Sequence, residues 1–191
     1  ITVTGKSNDL HFYNYENNGG FEKKTITLDF LERKVNGVKK RASTLISRNE
    51  LAKIDISLPN AIELTSNENK VYLHSEDLIF TFDNDRNGTI VVKLNPVTFE
   101  IKHDFYEHSK VLVEQFSSHN SYLFDDKLFQ ISGSTEQMKF TIKNFETKEL
   151  IKDIVLNKSD SITFKNTPIV QEGGGFFVSE TREFEETNKF L

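Results

Sequence analysis

The chain has 191 residues, 24 Lys and Arg against 29 Asp and Glu, a net charge of −5, and no cysteine. That length suits one domain able to bury about 70 % of its unfolded surface, and the acidic balance argues against a general nucleic-acid binder. The missing thiols exclude disulfides, thiolate zinc sites and cysteine nucleophiles, and no run of about 18 apolar residues is present to cross a membrane as a helix.

The first residues, Ile1-Thr2-Val3-Thr4-Gly5, lack the basic and apolar regions of a signal peptide. At the other end, Glu183 to Leu191 reads as an amphipathic element closing on Phe190-Leu191. The start implies either a removed leader or a piece of a longer chain; the end favours the piece, with a docked terminal segment as the alternative. Between the ends the hydrophobic period is two. Alternation runs through Lys24–Phe30, Leu78–Phe82 and Lys139–Lys143, and short runs of this kind bounded by Asn, Asp, Gly and Ser read as strands. Asn18-Gly19-Gly20 and Ser132-Gly133-Ser134 are turn signals. Asn36-Gly37 and Asn87-Gly88 are stronger ones, because both central residues of a type I′ turn take positive φ. Two stretches read as candidate helices, Arg48–Lys53 and the tail from about Ser179, while Arg41–Leu58 reads as able to hold two further strands.

A shift of 49 residues brings Asp77, Phe80 and Phe82 onto Asp126, Phe129 and Ile131. It also brings Asn95-x-x-Thr98-x-Glu100-Ile101 onto Asn144-x-x-Thr147-x-Glu149-Leu150. Each stretch predicts four strands: about 70–75, 78–83, 89–95 and 100–106 in the first, and 120–124, 127–132, 138–143 and 149–156 in the second. A four-stranded unit of 40 to 50 residues is the size of a propeller blade. A lone sheet with two apolar faces must stack on neighbours to bury both. The sequence therefore predicts a single all-β domain or propeller fragment over 1–191. Its repeat units lie at about 70–107 and 119–157, in a propeller-like array of antiparallel four-stranded units. The alternative is a two-sheet β-sandwich. Phe80, Phe82, Val91, Phe129, Ile131, Phe140 and Ile142 are the expected core.

The "strand, strand, Asn-x-x-Thr, strand" unit over Lys70–Asn157 resembles degenerate propeller-blade repeats of uncharacterised bacterial envelope proteins. The Phe, Asn, Lys and Ile bias is similar to that of AT-rich, Bacteroidetes-type bacteria. The resemblance implies a non-catalytic binding or scaffold domain in the periplasm or at the cell surface, with a protein or glycan ligand, and it transfers no catalytic residue. The rival is a glycan-active hydrolase with a carboxylate pair at the mouth of the fold.

One motif carries ion chemistry. Asp83-Asn84-Asp85-Arg86-Asn87-Gly88-Thr89-Ile90 follows the first two-thirds of an EF-hand loop. It offers a candidate calcium site through the side chains of Asp83, Asp85 and Asn87 and the Thr89 carbonyl, with Leu94 where the bidentate Glu belongs. The alternative is a bare polar hairpin tip. His103 and His108 point to opposite faces if both lie on one strand, which disfavours joint metal binding. Arg33 to Arg41 is the one basic cluster, read as a charged hairpin edge that discourages aggregation.

Overall fold

The computed structural model describes residues 2–3, 7–15, 17–35, 38–48, 51–85, 87–111, 118–161, 169–175 and 178–184. Strands dominate, as the period of two predicts. β1 (Thr2–Val3), β2 (Asp9–Tyr15) and β3 (Phe21–Thr27) form one antiparallel sheet. Its β2–β3 turn has Gly19 at φ 87° and the Gly20 N–H donating to Asn18 Oδ1, so a glycine is required there. β4 (Arg33–Val35) and β5 (Val38–Lys40) pair as a small hairpin around Asn36-Gly37, whose turn geometry lies outside the described residues.

α1 (Ala42–Arg48) and the parallel strand β6 (Ala52–Ile54) follow, then a single helical turn, α2 (Ile62–Thr65). The helix thus ends at Arg48, where the predicted segment begins, and Lys53 sits in a strand. Burial decides this: Ala42, Ser43 and Ile46 pack inward within α1, while Ala52 and Ile54 alternate with exposed Lys53 in β6.

The centre is a five-stranded sheet in the order β10-β9-β8-β7-β6, from β7 (Asn69–His74), β8 (Asp77–Asp85), β9 (Gly88–Leu94) and β10 (Ile101–Glu107). A four-stranded antiparallel sheet follows: β11 (Ser118–Phe124), β12 (Lys127–Gly133), β13 (Gln137–Asn144) and β14 (Leu150–Asn157). The eight strand spans match the sequence expectation closely. β15 (Ile169–Gly175) and β16 (Val178–Phe184) form a last hairpin, so the tail from Ser179 is strand rather than helix. The rest of the terminal amphipathic element, 185–191, lies outside the described residues.

The Asn-x-x-Thr motifs are turns with the same bonding. Asn95 Oδ1 accepts from the N–H groups of Val97 and Thr98, and Thr98 Oγ1 from that of Glu100. Asn144 and Thr147 repeat this toward Glu146, Thr147 and Glu149. Phe99 and Lys148 both take positive φ, 60° and 62°. Short polar side chains that bond their own backbone are what such turns need.

The three larger sheets are layered. Phe80, Phe82, Ile90, Val92 and Leu94 of the central sheet pack on Leu10, Phe12, Ile26 and Leu28. The opposite face, with Tyr72, Ile79, Val91 and Tyr106, packs on Leu123 and Leu128 of the four-stranded sheet and on Phe145 of its β13–β14 turn. Of the expected core, Phe80, Phe82 and Val91 are buried. Phe129, Phe140 and Ile142 are only half-buried and Ile131 is exposed, because Leu128 and Gln130 take the inward face.

Candidate functional site

The densest polar cluster lies between the central and four-stranded sheets and is built around Asp83. β8 turns Ile79, Thr81 and Asp83 toward the four-stranded sheet, since alternate residues share a face. Asp83 Oδ1 accepts from the Thr89 hydroxyl at 2.6 Å. Its Oδ2 accepts from the Ser121 N–H and hydroxyl, both at 2.8 Å. Lys70 Nζ lies 3.6 Å from Oδ2, with both side chains at 0 % exposure, and donates to Asn120 Oδ1 at 2.6 Å.

His108 completes one side of the cluster. Its Nε2 is 3.1 Å from Thr89 Oγ1 and 3.8 Å from Asp83 Oδ1, and its ring stacks on that of His119 at 4.4 Å. Thr89 spends its one hydroxyl proton on Asp83, so Nε2 of a neutral His108 carries the proton and donates to Thr89. Gln130 Nε2 donates to the same hydroxyl and to the Tyr106 carbonyl. His108 Nδ1 is then the bare acceptor, and it has no partner among the described residues.

Electrostatics follow from this packing. Burial pushes the Asp83 carboxyl up, but His108, the Lys70 ammonium and the Thr89 and Ser121 hydroxyls outweigh it. The carboxyl is held below the ordinary carboxylate range. Burial pulls the Lys70 ammonium down, and Asp83 only partly offsets it.

The predicted calcium ligands are not gathered. Asp83 is turned into the sheet interface, whereas the Asp85 carboxylate accepts from the Asn87 N–H at the hairpin tip. Asn87 is exposed, and its carbonyl accepts from the His108 N–H. Thr89 offers its hydroxyl to Asp83 and pairs with Tyr106 in the ladder. Gly88 does not supply a positive φ; it lies in β9, where a Cβ would sit 2.4 Å from the Tyr106 carbonyl oxygen. Close approach of β10, not turn geometry, requires glycine there. A calcium ion at the tip must withdraw Asp83 from four partners. Thermal melts in calcium and in chelator are therefore expected to coincide for wild type and for Asp85→Ala; a calcium-dependent rise lost in Asp85→Ala restores the ion site.

His103 and His108 lie apart. His103 stacks on Phe30 at 4.1 Å, while His108 is in the buried cluster. The Asp83 cluster escapes sequence reasoning because its members come from five strands and one connection. The only local sign was a polar residue at an inward position of an apolar strand.

The second feature is a groove of about 440 Å³ on the open side of the four-stranded sheet. Tyr122, Phe129, Ile131 and Phe140 form its apolar floor, with Thr65, Ser66, Asn120 and Ser121 along one side. None of these carries a carboxylate. Asn120 joins the two features, accepting from Lys70 and donating to the Ser66 carbonyl.

No protein-family model, curated protein or solved structure matches the chain.

Proposed function

We propose that this chain is a non-catalytic binding or scaffold domain of a bacterial cell envelope, with a protein or glycan ligand. In this reading it is a propeller-like array in which β7–β10 and β11–β14 are two copies of one unit. The observation that carries the non-catalytic reading is the closure of the Asp83 cluster. Acid–base and nucleophilic groups act only within hydrogen-bond reach of a substrate. The Asp83 and Lys70 side chains have no exposed surface, and their polar atoms are engaged with one another's neighbours. The groove on the four-stranded sheet is apolar, and among the described residues that line it there is no carboxylate of the kind glycoside hydrolysis needs.

The shared turn chemistry of Asn95–Glu100 and Asn144–Glu149 supports two copies of one unit. Contacts across the layers support their stacking: Lys148 of the second turn reaches Asp104 of β10, and Tyr106 donates to the Phe145 carbonyl. Placement in the periplasm or at the cell surface rests on the compositional bias alone.

Incubating the full chain with insoluble and soluble polysaccharides and with envelope protein fractions tests the reading. Retention without new reducing ends is the expected result. Release of reducing sugar by the wild type, lost on substitution of an acidic pair, overturns it in favour of a glycan hydrolase.

A further inference from the structure

We infer that the open face of the four-stranded sheet is the seat of the β15–β16 hairpin, which begins a third layer over Tyr122, Phe129, Ile131 and Phe140. This inference deepens the layered reading proposed above and rests on its stacking half only.

Four observations carry it. The first is hairpin spacing. β7 and β8 are separated by Ser75-Glu76, and β11 and β12 by Asp125-Asp126, 50 residues later. β15 and β16 are likewise separated by two residues, 176 and 177, 51 positions after that. All three hairpins are antiparallel with connections two residues long, and hairpin register depends on that length.

The second is the way the chain leaves each sheet. After β10 the His108 N–H donates to the Asn87 carbonyl, at the β8–β9 tip. After β14 the Lys158 N–H donates to the Glu136 carbonyl, at the β12–β13 tip. The chain thus departs both meanders from the same corner with the same bond.

The third is the connector. Ten residues, 108–117, carry the chain from β10 onto the next layer, and eleven, 158–168, separate β14 from β15. Fully extended, chains of ten and eleven residues span at most nearly the same distance, about 33–40 Å.

The fourth is the face itself. Matching the hairpins by their turns sets Ile79 of β8 against Phe129 of β12, and Thr81 against Ile131. Ile79 is wholly covered by the following sheet, and Thr81 is fully buried too. Their counterparts look the same way along the stack, yet Phe129 is half-buried and Ile131 is 38 % exposed. An apolar sheet face of this kind needs a cover, and the hairpin next in the chain is within reach.

The registers give a pair to test. Asp83 of β8 meets the Ser121 N–H of β11. One layer on, the same register brings Gly133 of β12 against position 172 of β15. The chain has no cysteine of its own, so engineered pairs report without background. In the full-length double variant Gly133→Cys/Glu172→Cys, mild oxidation is expected to form an intramolecular disulfide. Its yield should be at least tenfold that of Gly133→Cys/Gln171→Cys, in which the second cysteine is moved one position along the strand. In separate single variants, Ile131→Cys is expected to react with a maleimide at least tenfold more slowly than Ile151→Cys, on the exposed β14. Equal disulfide yields in the two pairs, or equal maleimide rates at 131 and 151, overturn the inference. Disulfides that form only between chains, rising with concentration, also overturn it and assign the face to a second copy. None of these readouts depends on a ligand, so they fail separately from the binding and hydrolysis assays above.

Discussion

Asp83→Ala is expected to cost about 3–5 kcal/mol of folding stability, and Lys70→Met a similar amount. The carboxylate and the ammonium are both sealed from water, so removing either leaves the other charge buried without its counter-charge. The damage then comes from the survivor, not from the worth of the pair. This separates two kinds of variant. Lys70→Met/Asp83→Leu removes both charges and replaces them with apolar groups, so it is expected to be more stable than either single variant, although the Thr89 and Ser121 hydroxyls lose their acceptor. Urea midpoints at unchanged slope give these differences. A loss under about 1 kcal/mol for Asp83→Ala, the size of an exposed ion pair, contradicts the burial of this cluster.

The same cluster sets a direction with pH. The native Asp83 carboxyl titrates below its unfolded value, about 3.9. Between the two values the unfolded chain binds more protons, so stability falls as pH falls. The contribution is complete above pH of about 5, about one unit over the unfolded value, and disappears as pH drops through the native value. Lys70 is lowered as well, so in its own, alkaline window the unfolded chain again holds more protons and stability rises with pH. Asp83→Asn should flatten the acid limb of the wild-type curve and leave the alkaline limb rising.

The all-β class and the eight strand spans were legible because they depend on local information: alternation, turn residues and the Asn-x-x-Thr motif, whose bonds lie within six residues. The faces were not legible, and the reason is one residue. A 49-residue shift is correct for β9 onto β13 and for the Asn95 and Asn144 turns, but the paired hairpins lie 50 apart. The first meander holds one more residue between β8 and β9, absorbed at the register shift between Phe82 and Asp85. Because strand side chains alternate, a slip of one exchanges the two faces. The 49-residue shift thus sets Phe129 and Ile131 against Phe80 and Phe82, whereas their counterparts in the hairpins are Ile79 and Thr81. The Asp83 cluster was hidden for a different reason. Lys70, Asp83, Thr89, His108 and Ser121 are brought together only when two sheets stack, and the Asp-x-Asp-x-Asn-Gly pattern around Asp83 pointed instead to a loop ion site. Asn87-Gly88 reads as a turn because Asn-Gly is so often one; the pressure on Gly88 comes from β10, about 18 residues away in sequence.

Phe80→Ala is expected to cost roughly 3–5 kcal/mol, comparable to the loss of a buried charge partner but by a separate physical route. The ring is 2 % exposed. It meets Phe12 edge-on at 6.3 Å and lies parallel to Phe82 at 6.4 Å, and so joins the central sheet to the β1–β3 sheet. The void left there by the wild-type side chains is only about 10 Å³. Its neighbours Leu10, Ile26, Val92 and Leu94 sit on strands fixed by their ladders and cannot close over a missing ring. The transfer and cavity costs therefore both apply. In a chain of this size the thermal midpoint should fall by about 10 °C. Val97→Ala, at a position 83 % exposed in the Asn95 turn, should shift stability by no more than about 0.5 kcal/mol. Phe80→Leu keeps most of the volume and should lose less than half as much as Phe80→Ala. If Phe80→Ala and Val97→Ala melt together, Phe80 does not face the β1–β3 sheet, and the layering of these two sheets is assigned to the wrong face of β8.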